Sequence, residues 1–157
     1  MPRPDQSEAE AVILRWGDTV YRMAFARVRS RTEADDIYQD VFLRYLRRRP
    51  KFESEEHARR WFLRVTVNCA KSHLTSAWMR HVIPLEQDIF EEPEENRLSE
   101  ALLQLPTKYR EVIHLHYYEG YKTEEIAQIL HRKPATVRSQ LARAREQLKT
   151  ILEEETL

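Results

Sequence analysis

Apolar residues recur along this chain every three to four positions, and nowhere do they alternate long enough to mark a strand. In a first segment, about 7–29, Val12, Trp16, Val20, Met23 and Ala24 share one helical face. A second helix is expected over Thr32–Arg48. Thr32 is its expected N-cap, with Glu33, Asp35 and Asp36 in the first turn, where the helix dipole favours acids. Pro50 stops it. A third helix, about Glu55–Trp78, carries Trp61, Phe62, Val65, Val67, Cys69 and Leu74. Further on, a short helix is expected over Arg97–Gln104, then one that starts at Pro106 and ends near Gly120 as its C-terminal cap. Thr123 caps a short helix, Glu124–Leu130; His131–Lys133 make a three-residue turn; Pro134 opens a last helix that runs to about Glu153. Short helix, tight turn and longer basic helix are the parts of a helix-turn-helix.

Only two glycines, Gly17 and Gly120, interrupt this pattern. Positive φ is cheap at few positions, so hairpins and bulges are not expected and the fold class is all-α. Between the helical segments, IPLEQDIFEEPEENRLSE (83–100) has two prolines and little apolar periodicity. The chain therefore divides into two small helical domains, 1–82 and 101–157, joined by an acidic linker, 83–100, with the helix-turn-helix in the second domain.

Charge sharpens that division. Net charge is zero over the 157 residues, which by itself argues against nucleic acid. Residues 1–82, however, hold 16 Lys/Arg against 11 Asp/Glu, while 83–100 hold one base and seven acids. Residues 101–157 hold nine bases and eight acids. A phosphate backbone responds to local charge, which whole-chain neutrality hides. The single cysteine, Cys69, excludes an internal disulfide and suits a reducing compartment. No apolar run approaches the roughly 20 residues of a membrane helix, and MPRPDQSEAEAV lacks a signal-peptide core. A soluble cytoplasmic protein without membrane insertion is expected.

On a helical wheel the last helix puts Val137, Leu141, Ala144, Leu148 and Ile151 in one apolar stripe. Opposite lie Ala135, Ser139, Ala142 and Arg143, flanked by Arg138 and Arg145. From Arg132 to Lys149 there are six bases and one acid. Small residues allow close approach to a major groove, and arginine can grip a guanine edge or a phosphate. A solvated helix packed on a small bundle has the same periodicity, and this alternative stays open on pattern alone. In the second helix, Ala34, Ile37, Tyr38, Val41, Phe42 and Tyr45 form a broad apolar side, leaving Leu43 among Asp36, Gln39 and Asp40. An apolar centre with a polar rim suits a protein contact, though a solvated acidic face with a stray leucine is common. In the third helix Trp61 and Phe62 read as packing residues, beside the cations Arg59, Arg60, Arg64 and Lys71 and the amide of Asn68. Arg47, Arg48, Arg49 and Lys51 form a basic cluster that suits either DNA phosphates or a helix C-terminus. For an enzyme there is little: the six histidines are scattered, His114 and His116 fall on different helix sides, and no glycine loop cradles phosphate. No catalytic residue, metal site or cofactor is expected.

Longer runs go further. LPTKYREVIHLHYYEGYKTEEIAQILHRKPATVRSQLARAREQL (105–148) resembles the −35 reading domain of extracytoplasmic-function sigma factors. ADDIYQDVFLRY (34–45) and RRWFLRVTVNCAKSHL (59–74) resemble two helices of the same family's −10 reading domain. The resemblance implies a promoter-recognition subunit that works without chemistry of its own. Its partners would be core RNA polymerase, through the clamp helices of the largest subunit, promoter DNA and an anti-sigma factor. By the same resemblance, Asp36, Gln39, Asp40 and Leu43 face polymerase. Arg64, Asn68, Lys71 and Ser72 face the −10 element, and Ala135, Thr136, Arg138, Ser139, Arg143 and Arg145 face the −35 element. The chain departs from the family pattern at Ser72 (commonly Asp), Thr75 (Arg), Ala135 (Gly) and Gln140 (Arg).

Two other readings remain: an operator-binding helix-turn-helix regulator, which has no need of the 34–45 helix, and an adaptor whose last helix binds protein. The adaptor predicts no salt-dependent DNA binding. Limited proteolysis of the whole chain should cut first within 83–100 and leave two protected fragments. Uniform resistance would mean that the two domains pack as one unit.

Overall fold

The computed structural model describes residues 4–80, 98 and 100–155. Apart from Leu98 and Glu100, the expected linker lies outside the described residues. All regular structure among the described residues is helical, and the chain divides into two compact units, Met1–Glu86 and Gln87–Leu157. Among the described residues no helix is long and apolar enough to cross a membrane.

Three long helices make the first unit: α1 (Pro4–Val28), α2 (Arg31–Arg48) and α3 (Glu55–Arg80). Each gives one stripe to a shared core. Trp16, Val20, Ala24 and Val28 come from α1; Ala34, Ile37, Val41, Phe42 and Tyr45 from α2; Ala58, Phe62, Cys69 and Ala70 from α3. Phe62 is wholly buried and sits at the centre of an aromatic cluster. Its ring centroid lies 4.9 Å from Trp61, 5.6 Å from Phe42, 5.7 Å from Tyr45, 5.8 Å from Phe52 and 5.9 Å from Trp16. Aromatic rings prefer such tilted and edge contacts at 4.5–7 Å. Gly17 lets α2 come close to α1, since a Cβ there would stand 3.0 Å from the Tyr38 hydroxyl.

The helix ends differ in detail from the pattern. Ser30, not Thr32, caps α2: it is extended (φ −135°, ψ 133°) and its Oγ accepts the Glu33 N–H at 3.4 Å. Both residues are of capping type. The tight α1–α2 turn selects Ser30, because Arg29 ends α1 in the left-handed region, with its N–H on the Phe25 carbonyl at 3.0 Å. Ser54 caps α3, accepting the His57 N–H at 3.0 Å, while His57 Nδ1 accepts the Glu53 N–H at 3.1 Å.

In the second unit a helical turn through 100–103 leads to α4 (Thr107–Ile113). It is followed by α5 (Thr123–Leu130) and α6 (Pro134–Glu155). Pro106 stands one place earlier than expected, as N-cap of α4, with its carbonyl accepting the Tyr109 and Arg110 N–H groups at 3.0 Å. The helix expected to run unbroken to Gly120 widens instead into a π-turn, His114–Tyr118. The Glu119 N–H reaches back to the His114 carbonyl at 3.0 Å. Leu115 stays buried while Tyr117 and Tyr118 are both exposed. Gly120 (φ 79°) then turns the chain; nothing crowds its Cα, so backbone conformation is what calls for glycine. Lys122, not Thr123, holds the N-cap position of α5. A lysine side chain accepts no hydrogen bond, so the turn is closed from the other side: the Lys122 N–H donates to Glu125 Oε1 at 3.0 Å.

Scarcity of glycine has a visible consequence. Arg29 (φ 60°), Arg49 (φ 44°) and His131 (φ 56°) all take the left-handed conformation at helix ends where glycine is usual. The arginines at two of these positions suit the helix dipole, but the left-handed backbone still costs an L-residue roughly 1–2 kcal/mol. His131 is exposed and ends α5. His131→Gly is therefore expected to stabilise the second unit by about 1 kcal/mol, after the glycine entropy cost, read as a higher urea midpoint. No gain, or a loss, would show that the imidazole contributes more than the strain takes away.

Candidate nucleic-acid interface

Helix α6 packs on α4 and α5 through Val137, Leu141 and Ala144, all buried, with Leu148 and Ile151 half-buried further along. That fixes what the helix shows to solvent: Ala135, Thr136, Arg138, Ser139, Ala142 and Arg143 are exposed. A shallow open groove of about 330 Å³ runs beside this face, lined by Ala135, Thr136, Ser139, Gln140 and Arg143 of α6 and by Lys108 and Tyr109 of α4. Four of the six residues expected to face the −35 element thus share one surface. The other two flank it. Arg138 lies toward α5, with Nη1 at 3.8 Å from Glu124 Oε1, an exposed pair that contributes little. Arg145 lies toward the π-turn, its guanidinium over the Tyr117 ring at 5.3 Å and its Nε donating to the Tyr117 hydroxyl.

Sequence patterning missed Lys108 on this surface and counted Arg132, which is not part of it. Lys108 stands a turn away from any basic run, and only the packing of α4 against α6 places it beside Arg143. Its ammonium lies 5.1 Å from the ring centre of Tyr109, which is itself buried, so Lys108 is what this pair shows to solvent. Arg132 was counted among the bases of the last helix, but it turns inward. One guanidinium nitrogen is paired with Glu111 Oε1, and the other donates to Gln140 Oε1 at 2.9 Å. Glu111 is wholly buried. Arg110 is also buried and used internally, donating to the Leu105 carbonyl at 2.6 Å and to Thr107 Oγ1 at 3.1 Å. The exposed cations of this region include Lys108, Lys133, Arg138, Arg143 and Arg145.

The first unit presents two further faces. On α2 the buried side comprises Ala34, Ile37, Val41, Phe42 and Tyr45, which leaves Asp36, Gln39, Asp40 and Leu43 exposed on one stripe. Leu43 is 49% exposed and Leu46, one turn further along the same side, 39%. Two leucines amid carboxylates and an amide form a larger apolar centre than the sequence alone identified. On α3, Arg64, Asn68, Lys71 and Ser72 are all exposed, at the spacing of a single helical stripe. Trp61 borders that stripe and is half-buried. Arg59 and Arg60 are drawn back toward Glu56, at 3.9 Å and 3.1 Å, so Arg64 is the outward cation at this end of the helix. Arg47, Arg48, Arg49 and Lys51 are exposed at the end of α2.

Little of this supports bond-making chemistry. Among the described residues no three His, Cys, Asp or Glu side chains converge. Burial pushes the Cys69 thiol pKa up, away from the thiolate a nucleophile needs. His116 Nδ1 lies 2.8 Å from the Tyr121 carbonyl, a role in closing the π-turn.

Similarity to known proteins coincides with these surfaces. The family described as Sigma-70 region 2 matches residues 12–80, which hold the α2 and α3 faces. The family described as Sigma-70, region 4 matches residues 95–148, which hold the helix-turn-helix. The chain is 30% identical to RNA polymerase sigma factor SigV of Bacillus subtilis over 143 residues, covering 87% of this chain and 86% of that one. It is also 30% identical to the ECF RNA polymerase sigma-E factor of Escherichia coli K12 over 163 residues, covering 90% and 85%. Its fold is similar to that of the sigma factor RpoE of Bartonella quintana, solved with the anti-sigma factor NepR. The TM-score there is 0.79, with 20% identity and coverage of 94% of this chain and 96% of that one.

Proposed function

The chain belongs to the sigma-70 family of RNA polymerase sigma factors, in its extracytoplasmic-function branch, and on that premise we propose how its surfaces divide the work of promoter recognition. As a sigma factor it is a transcription initiation factor and not an enzyme; polymerase supplies the chemistry. The observation that carries the division is the groove beside α6, where small residues and a hydroxyl stand between the cations Lys108 and Arg143.

The second domain, 101–157, reads the −35 element through α6, with Ala135, Thr136 and Ser139 close to the bases. Arg138, nearer the helix N-terminus, enters the groove and reads a base edge. Arg143 and Lys108 hold phosphates on either side, and Arg145 supports the helix through Tyr117. In the first domain, 1–82, the α2 stripe of Asp36, Gln39, Asp40 and Leu43 docks on the clamp helices of the largest polymerase subunit. The α3 stripe of Arg64, Asn68, Lys71 and Ser72 binds the −10 element. The acidic segment 83–100 joins the two domains. The protein acts in the cytoplasm under control of an anti-sigma factor.

Leu43→Arg is expected to weaken association with core polymerase at least about tenfold, because a charge would sit at the apolar centre of the contact. Helical content and thermal unfolding should stay unchanged, since Leu43 is half exposed. A folded variant with wild-type affinity would remove α2 from the polymerase interface.

The DNA-reading roles separate by their response to sequence and salt. A bidentate arginine–guanine pair discriminates by roughly 1–3 kcal/mol, whereas a phosphate contact affects all sequences alike. Transcription over promoters varied in the −35 element should show relaxed preference at one position for Arg138→Ala. Arg143→Ala and Lys108→Ala should show uniform loss and a salt slope lower by about one each. Wild-type activity and preference in all three would take α6 out of promoter recognition.

A further inference from the structure

Glu111, Arg132 and Gln140 bring together three elements that have to be held in register for a helix-turn-helix to read DNA. Glu111 is on α4, Arg132 lies in the turn after α5, and Gln140 is on α6. The carboxylate of Glu111 is wholly buried, a state that is costly without a cationic partner. Arg132 supplies that partner across 21 positions of sequence. The guanidinium is planar, so once one nitrogen is committed to Glu111 the direction of the other is fixed. That second nitrogen meets the Gln140 side-chain oxygen at 2.9 Å. Gln140 sits one turn from Thr136 and next to Ser139, on the helix edge that borders the groove.

We infer that Arg132 is a positioning residue for promoter reading: by bridging Glu111 and Gln140 it sets the angle of α6 and withdraws Gln140 from base recognition. The inference deepens the assignment of α6 to the −35 element and rests on it. Two consequences follow from the geometry. Arg132 lies amid bases in sequence yet contributes no phosphate contact. Gln140, which has the amide chemistry to read an adenine edge, has its oxygen engaged inside the unit and reads nothing. The arrangement is also invertible. Gln140 and Glu111 meet the same guanidinium, so an arginine at 140, longer than the glutamine there, comes within side-chain reach of the Glu111 carboxylate, with an amide at 132 as its neighbour.

The test uses the whole chain with core polymerase and promoter DNA. Arg132→Gln is expected to lower affinity for a −35 element about tenfold, the size usual for coupled pairs in one network, with the slope of affinity against salt unchanged. Adding Gln140→Arg to that variant should restore affinity to within about threefold of wild type. Gln140→Ala alone keeps the ion pair but cuts the bridge to α6, so it should lower affinity for all −35 sequences alike and keep the wild-type preference at every position. If Arg132→Gln does not fold, the double variant carries the test: recovery of fold and binding supports the inference, and failure to recover either overturns it. A salt slope reduced by about one for Arg132→Gln overturns it by making Arg132 a phosphate contact. A changed preference at a single base pair for Gln140→Ala overturns it by making Gln140 a reader. Were the wild-type chain itself to bind no promoter, the −35 assignment would fall. The bridge would still be measurable then, as coupling between positions 132 and 140 in urea unfolding without DNA.

Discussion

Phe62 holds the first unit together, and the direction of that unit's exposed faces depends on how it packs. Its ring meets side chains from all three helices and from Phe52 in the α2–α3 connection. Truncating a buried phenylalanine costs about 3–5 kcal/mol, a large fraction of the 5–15 kcal/mol that keeps a small domain folded. With the core centred there, the wheel of each helix is no longer free to rotate. The stripe on α2 with Leu43 and the stripe on α3 with Asn68 are what remains exposed once Phe42, Tyr45 and Phe62 are inside.

In the second unit the buried side chains are mainly aliphatic, and polar bonds supply orientation. Arg110 ties the start of α4 to the Leu105 carbonyl and to Thr107, and Arg132 ties the turn before α6 to Glu111. A buried ion pair is weak evidence of net stability, because desolvation offsets much of its attraction, but it is directional where apolar contacts are not. Directionality is what a reading helix needs. The π-turn adds to this by carrying Tyr117 to the side of α6 where Arg145 stacks on it. The helix is thus gripped at its start by Arg132 and further along by Tyr117, with the exposed residues from Ala135 to Arg143 between.

A chain of zero net charge can bind a polyanion because its charges are sorted twice. Seven of the acids gather in the segment 83–100, with a single base. Within each unit some bases are then turned inward or paired: Arg110 and Arg132 in the second, Arg59 and Arg60 in the first. The cations left pointing outward, among them Lys108, Arg138 and Arg143, lie on the surfaces read here as DNA-facing. Counting bases along a helix overstates this field at Arg132 and misses it at Lys108.

The sequence by itself determined the helical class, the element order and the helix-turn-helix, because periodicity near 3.6 and the positions of proline and glycine are local properties. It also determined which side of α2 and α6 is buried, since Ile37, Val41, Phe42, Val137 and Leu141 allow only one inward face. It put the cap of α2 at Thr32, where the structure uses Ser30, because both residues have the chemistry and only the α1–α2 turn selects between them. The π-turn at His114–Tyr118 was illegible for a similar reason: a π-turn and an α-helix share composition, and the extra residue is accommodated only where Leu115 and Tyr121 must both be buried. The company kept by Lys108, Glu111 and Arg132 was decided by tertiary structure alone. Pairing across 21 residues has no periodicity to betray it, and whether an arginine faces DNA or a buried carboxylate depends on which helix lies beneath it.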